Sequence, residues 1–528
     1  MMSNYRNSTS RGTYAMKTLI ARRTVLAASL AAAATTLVFP MAAQAQALKP
    51  GRLRVAIVAD MVNFDPAQFS SQNFPLIKSL YDSLIEYTPE GQAIPSLASA
   101  WTVGAGNNSV TLTLRRDVSF HSGAPMNAEA VSATLKKAAD PKLGKNLYAT
   151  MSVVKDWTVV DPFTIRLNFN KPVPDKQITD LLQFISPIDP AGIDTVEAKP
   201  AGTGPFMLAE RVLGQRVRMV VNPKYWRPEK PLLSEVTLTF FSDKDSAAAA
   251  LESGGVDMMY GDVARQAIRL RDAGYQLVQG PGPLVQVFRI NTTMGPFRNE
   301  KFRQAFNHLM DRRAILQVGY AGLGEVTALP WAPASPAADK SYDTRYAFDL
   351  EKGRALLKES GLSQAEMNGW KIMVNGGDPA STTISQVVQS TLAKVGVNVE
   401  LDVLGAPEFT TALLAGKFFA LFGGIGNIQK FPTRVATNSI YRTSKNPVLG
   451  DPHPHPAYVA AIERVEQTFG TGAQVKAAYD NLNKVMVESA FAIPTNTYDI
   501  GLIVAAKNVG GITREIDNMP VFRTIGFR

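Results

Sequence analysis

The sequence predicts an α/β protein whose sheets are flanked by helices. Three observations point there. Strand-like runs and one-faced apolar stripes at helical spacing mix along the whole chain. No unit of 20–50 residues repeats. The 528 residues, 45% hydrophobic and 19% charged, supply two or three domains with enough apolar material to fold without disulfides.

Taken in order, Leu53-Arg-Val-Ala-Ile-Val58 reads as an opening buried strand, ended by the turn-rich Asn63-Phe-Asp-Pro66. Leu76, Ile77, Leu80, Leu84 and Ile85 fall on one face of a helix over 74–87. Thr111–Arg115 alternates as a half-buried strand does, and 128–138 is helical. Strands follow at Thr164–Phe169, Val217–Val221 and Val236–Phe241. Phe302, Phe306, Leu309 and Ile315 form a helical stripe that Asn299 is placed to cap. Ile384–Val395 is a helix stopped by Gly396, and Val397–Leu401 is a strand. Gly280–Pro283 and Pro330–Pro336 are the linker or loop candidates.

The N-terminus has the parts of a secretory leader. Lys17, Arg22 and Arg23 precede an uncharged run from Thr24 to Leu48, which closes on the small residues Ala43-Gln-Ala45 and Ala45-Gln-Ala47. Pro40, Gln44 and Gln46 make that run poor material for a membrane span. Cleavage near residue 47 is expected. Met16 offers a second start, and Arg22-Arg23 leaves both the general and the twin-arginine export routes open. The leader holds five of the 55 Lys and Arg and no acid, so the formal charge of +10 falls to +5 in the mature chain. That mild excess gives no case for a nucleic-acid partner, which calls for a clustered basic face. With no cysteine, there is neither a disulfide nor a site for a lipid anchor. A soluble periplasmic protein is expected.

Catalytic patterns are missing. There is no G-x-S-x-G elbow, no H-E-x-x-H and no thiol, and no phosphate-cradling loop occurs. Gly424-Ile-Gly426 starts a dinucleotide fingerprint that Gln429 breaks. His453 and His455 alternate with prolines in Asp451–Pro456, which reads as a stiff surface loop rather than a metal site; His121 and His308 read as structural. No cofactor and no metal are expected.

Several segments together resemble the family 5 solute-binding proteins of ABC importers, which include dipeptide, oligopeptide and nickel receptors. They run in order from Phe64-Asp-Pro66 through Leu80-Tyr-Asp-Ser-Leu84, Ile94–Trp101 and Leu112–Gly123 to Gly202-Thr-Gly-Pro-Phe206. Asn222-Pro-Lys-Tyr-Trp226, Leu251–Asp257 and Phe302-Arg-Gln-Ala-Phe306 with Asp311-Arg312 follow. Each has a structural reading: Trp101 and Trp226 as core or hinge anchors, Gly123, Gly202 and Gly204 as tight turns.

The resemblance implies a two-lobed periplasmic-binding-protein fold (type II, cluster C-like), with an extra subdomain on the first lobe and a ligand cleft between lobes. Its expected divisions are a leader over 1–47 and a first lobe over 48–284 with the subdomain at about 85–204. A second lobe over 285–490 and a C-terminal return over 491–528 complete it. The partners implied are a small solute, a permease and an ATPase, with the receptor a monomer.

One departure bears on the solute. Peptide-binding relatives hold the peptide ammonium with an acid in a glycine-rich segment, and dipeptide receptors hold the carboxylate with an Arg before the central helix of the second lobe. Leu421–Pro432 resembles that glycine-rich segment but has Asn427 where the acid is expected, and Asn375 stands near the Arg position. From Gly416 to Gly450 there is no acid, while Lys417, Lys430, Arg434, Arg442 and Lys445 are basic. A buried ammonium without a carboxylate would pay its desolvation cost. Candidate contacts are therefore Phe69, Ser70 and Asn73 after the first strand, Gly424, Asn427 and Gln429 in the segment, and Arg434 and Arg442 for an anionic group. The solute is a peptide or related small polar compound, or else a carboxylate, sulfonate or phosphonate. A solvated basic rim remains the alternative for the two arginines, and an exported hydrolase the competing function.

Overall fold

Strand Gly51–Ile57 owes its central place to Leu53, Val55 and Ala56, all fully buried. It runs parallel to Leu233–Phe240 on one side and Met258–Gly261 on the other. The computed structural model describes residues 47–58, 63–69, 73–88, 91–280, 282–425, 432–470, 472–515 and 520–528. The leader, Ser70, Asn427 and Gln429 lie outside the described residues.

Around that strand a seven-stranded sheet forms in the order Gln276–Val278, Leu502–Ala505, Met258–Gly261, Gly51–Ile57, Leu233–Phe240, Arg216–Val221, Phe206–Val212. A five-stranded sheet follows the order Glu400–Leu404, Lys371–Asn375, Ala420–Ile425, Leu284–Ile290, Ala492–Tyr498. A separate antiparallel sheet of four strands (Ala98–Val103, Ser109–Leu114, Thr164–Phe169, Val154–Asp161) is inserted between the first two strands of the large sheet in chain order.

The chain crosses between the two large sheets twice. Gly280–Pro283 lies in the first crossing, after Gln276–Val278 and before Leu284–Ile290. The second lies between Tyr498 and Leu502. Ala492–Tyr498, which the boundary read from the sequence gives to the return, pairs instead with Leu284–Ile290. Asp499 ties the crossings together: it accepts from the Gly280 N–H at 2.8 Å and from Arg514 through both oxygens at 2.6 and 2.8 Å. Gly282, at φ 71°, lies so close to the Tyr498 backbone that a Cβ would come within 2.9 Å of it.

Helices and strands mostly fall where the sequence places them, apart from the helix expected at Ile384, which begins at Pro379, and three further differences. The helix from residue 74 ends at Leu80, and Ile85–Tyr87 is a short strand. The Phe302 stripe belongs to two helices, Glu300–His308 capped by Asn299 and Arg312–Tyr320 capped by Asp311. The strand expected at Val397 begins at Glu400. The early end at Leu80 has a clear cause. Tyr81 turns the chain extended so that Asp82 enters a buried polar knot, where it accepts from Tyr225 Oη and Trp226 Nε1 at 2.9 Å and from Thr203 Oγ1 at 3.0 Å. Three of the family-like segments thus meet at one carboxylate. Gly202 and Gly204 serve close approach rather than a turn, because a Cβ there would strike the Leu80 backbone at 2.1 and 2.5 Å. Gly123, at φ 93°, is a turn glycine.

Three cores result. One unites the four-stranded sheet with one face of the large sheet. A second joins Ala56 and Met259 of the large sheet to Phe288 and Ile290 of the five-stranded one, with Trp370 edge-on to Phe297, Phe302 and Phe306. The third covers the other face of the five-stranded sheet. His453 and His455 belong beside it, not on a surface loop as expected. His453 is 6% exposed, its Nδ1 accepts from the His455 N–H, and His455 stacks on Phe491 at 4.9 Å. The prolines that stiffen Asp451–Pro456 direct both rings inward, where aromatic packing outweighs imidazole hydration.

Candidate functional site

The seam between the first and third cores collects several of the residues singled out from the sequence. Helix Asp175–Phe184 places Ile178, Leu181, Leu182 and Phe184 in the first core, with the buried Asp180 beside them. The turn Pro432–Thr437 anchors Val435 in the third core and presents Arg434 opposite. Arg434 Nη1 donates to Asp180 Oδ2 at 2.7 Å, and its guanidinium lies over the Phe184 ring at 5.6 Å. Asp180 is only 4% exposed, so this is a largely desolvated ion pair.

Phe184 links that pair to Phe69, whose ring stacks on it at 4.4 Å with 14° between planes. Asn146 Nδ2 donates to the Phe69 carbonyl at 2.7 Å. Beside the pair lies a cavity of about 370 Å³, lined by Thr150, Gln177, Asp180, Thr433 and Arg434 among others. Lys171 and Glu466, an exposed pair 3.6 Å apart, also line it. Its walls mix hydroxyl, amide and charged groups with aliphatic carbon, a surface suited to a small polar molecule.

The remaining candidates fall elsewhere. Asn73 is buried and donates to the Gln68 carbonyl at 3.0 Å, ahead of helix Phe74–Leu80. Gly424 sits in the five-stranded sheet, and its carbonyl accepts from Arg289 Nη2 at 2.6 Å. Arg442 is exposed and folds back on the Thr437 carbonyl, at 3.2 and 3.3 Å. The structure therefore joins Phe69 and Arg434 through Phe184, and keeps Gly424 and Arg442 apart from them. Sequence reasoning passed over Asp180, Phe184 and Arg289. Asp180 carries no local signal on an amphipathic helix. Arg289 does: it continues the face of Val285 and Val287, where alternation calls for an apolar residue.

Among the described residues no cluster of three or more His, Cys, Asp or Glu could hold a metal ion. Among the same residues no helix is long and apolar enough to cross a membrane. Two α/β sheets joined by two tied crossings, a third sheet added to the first and a polar cavity at the seam define a class, the two-lobed solute receptors. The chain belongs to the bacterial extracellular solute-binding proteins, family 5 (described as "family 5 Middle"), whose profile matches residues 92–446. Members of this family are transport binding proteins rather than enzymes, and the chain is the solute-binding receptor of an ABC importer.

Among relatives, the glutathione-binding protein GsiB of Salmonella choleraesuis (strain SC-B67) is 28% identical over 365 residues, covering 67% of this chain and 70% of that one. In fold, the chain is similar to NikA from Brucella suis in complex with Fe(III)-EDTA, with TM-score 0.80, 23% identity, and coverage of 90% of this chain and 100% of that one. DppA from Helicobacter pylori in complex with the peptide STSA gives TM-score 0.74 at 20% identity, with 91% and 98% covered.

Proposed function

We propose that this receptor captures a peptide or related small polar solute between its lobes, in the periplasm and as a soluble monomer freed of its leader. It then delivers the solute to a membrane permease driven by an ATPase. The observation that carries the reading is the seam itself, where Asp180 and Arg434, anchored in different cores, meet beside a polar cavity. A solute touching both sides favours the form in which they are close, and that form is the signal a permease can read. The glutathione- and peptide-binding relatives support the solute class.

A second reading, a non-peptide organic anion, is favoured by the lack of any acid from Gly416 to Gly450. Mass spectrometry of the small molecules that co-purify with the protein, followed by calorimetry with each after stripping, tests both. A bound peptide establishes the first reading and a bound non-peptide carboxylate, sulfonate or phosphonate the second. Absence of any bound or titratable small molecule defeats both. Turnover of the solute by the purified protein would restore the hydrolase.

A further inference from the structure

Three arginines sit in or against the cores of the five-stranded sheet with no carboxylate bonded to them among the described residues. Two are saturated by the backbone. Arg303 donates to the carbonyls of Phe297, Arg298 and Ser489. Arg312 donates to those of Thr327, Pro494, Asn307 and Tyr346, and to the Asn307 side chain. Carbonyl dipoles that fill the donors of a guanidinium compensate its lost hydration, so both are structural cations.

Arg289 is different. Of the five N–H donors a guanidinium carries, it uses one among the described residues, on the Gly424 carbonyl at 2.6 Å. Its Nε is sealed from solvent with no acceptor. Close by, the hydroxyl of fully buried Tyr441 is likewise without a partner. Burial holds the guanidinium below its ordinary pKa, and the neighbouring Tyr441 acts in the opposite sense. Unspent donors on a half-buried cation are expensive, and a fold keeps them only if something else is served.

The local sequence makes room for that something. Leu421 stands across from Arg289 and Gly423 across from Val287, on the same face of the sheet. A Cβ on Gly423 would lie 3.9 Å from Arg289 Nη2, so the glycine opens the surface along which the guanidinium leans. It reaches along strand Ala420–Ile425 as far as the Gly424 carbonyl.

We propose that Arg289, supported by the Tyr441 hydroxyl, is the anion-recognition residue of the solute site and takes a carboxylate of the bound solute. The inference rests on the solute-capture reading and assigns the anionic contact not to Arg434, which Asp180 already holds beside the cavity, but to a residue outside the lining of that cavity with donors to spare. A planar fork and a carboxylate match in geometry, and the anion supplies the missing counter-charge.

The test uses the intact, ligand-stripped protein and paired probes, glutathione and Ala-Ala-Ala, each as free acid and as C-terminal amide, in calorimetry and thermal shift. Expected is binding of at least one free acid, tenfold or more tighter than its amide. Arg289→Met should remove that preference, and Tyr441→Phe should reduce it. Thermal melting separates fold from recognition: without ligand, Arg289→Met should melt no lower than the parent, whereas Arg312→Met should melt well below it. Three results overturn the inference and leave capture standing: acid and amide bound alike, an acid preference that survives Arg289→Met, or only a neutral or cationic solute bound. A fall in melting for Arg289→Met as large as that for Arg312→Met overturns it as a structural arginine. If neither probe binds and no small molecule co-purifies, the capture reading fails with it.

Discussion

Asp82 and Arg289 show two ways of keeping a charge inside this molecule. Asp82 is met by three side-chain donors, and its pKa is nonetheless raised, by burial and then by the nearby Glu86. Removing it as Asp82→Ala leaves a tyrosine hydroxyl, an indole N–H and a threonine hydroxyl without an acceptor. A loss on the order of 3 kcal/mol is expected in chemical denaturation, with Asp82→Asn losing less because one acceptor oxygen remains. Equal stability of Asp82→Ala and the parent would show that the knot is not what fixes the turn after Leu80. Arg289 makes the opposite case, bonded once to a carbonyl, and its removal is expected to cost recognition rather than folding.

At the scale of elements, the segment Asp451–Pro456 and the helix it leads into give a pH dependence. His455 is pushed down to about 3, first by burial, then by the positive charge of Arg303 and by the neighbouring His453; His453 is lowered too, chiefly by burial. Unfolding returns both rings to water, where they take up protons below about pH 6.5. Between there and about pH 3 the unfolded chain binds more protons than the folded one, so the stability these neutral rings allow is full above pH 6.5 and is lost as the pH falls. Melting temperature should decline from pH 6.5 to 4.5, and the slope should be shallower in His455→Phe, which keeps the stack on Phe491. An unchanged slope would mean that carboxylates, not these imidazoles, set the acid limit.

On the scale of the whole molecule, the two crossings and the seam act together. Asp499 binds the crossings to each other, and Arg434 binds the two sides of the seam some distance along the chain from either. Arg434→Met leaves Asp180 buried without its partner, which disfavours the form in which the sides meet. Solute affinity should weaken about 5- to 30-fold, for acid and amide probes alike, because the competent form becomes less populated. Asp180→Asn in the same chain should recover part of the loss. Small-angle scattering of the ligand-free Arg434→Met variant should give a larger radius of gyration than the parent; identical curves and affinities would relegate the pair to surface decoration.

The fold was legible wherever a local pattern answers to a local cause. Periodicity places helix Ala128–Ala138 and strand Thr164–Phe169 at their observed bounds, Asn299 caps its helix, and Gly396, at φ 82°, follows the end of another at Ala393. A sequence fixes such features because they depend on residues within a turn of each other. The same pattern mislead at 74–87, since the reason for ending that helix lies in Thr203, Tyr225 and Trp226, more than a hundred residues on. The site was less legible for the same reason. Phe69 and Arg434 could be named, but the partners that give them meaning, Phe184 and Asp180, are marked by nothing near them in the chain. Composition and order of motifs determined the α/β class, the family and the missing acid. Only the tertiary structure decided which arginine is already neutralised and which is left with donors unspent, because counter-charge is a property of space and not of spacing.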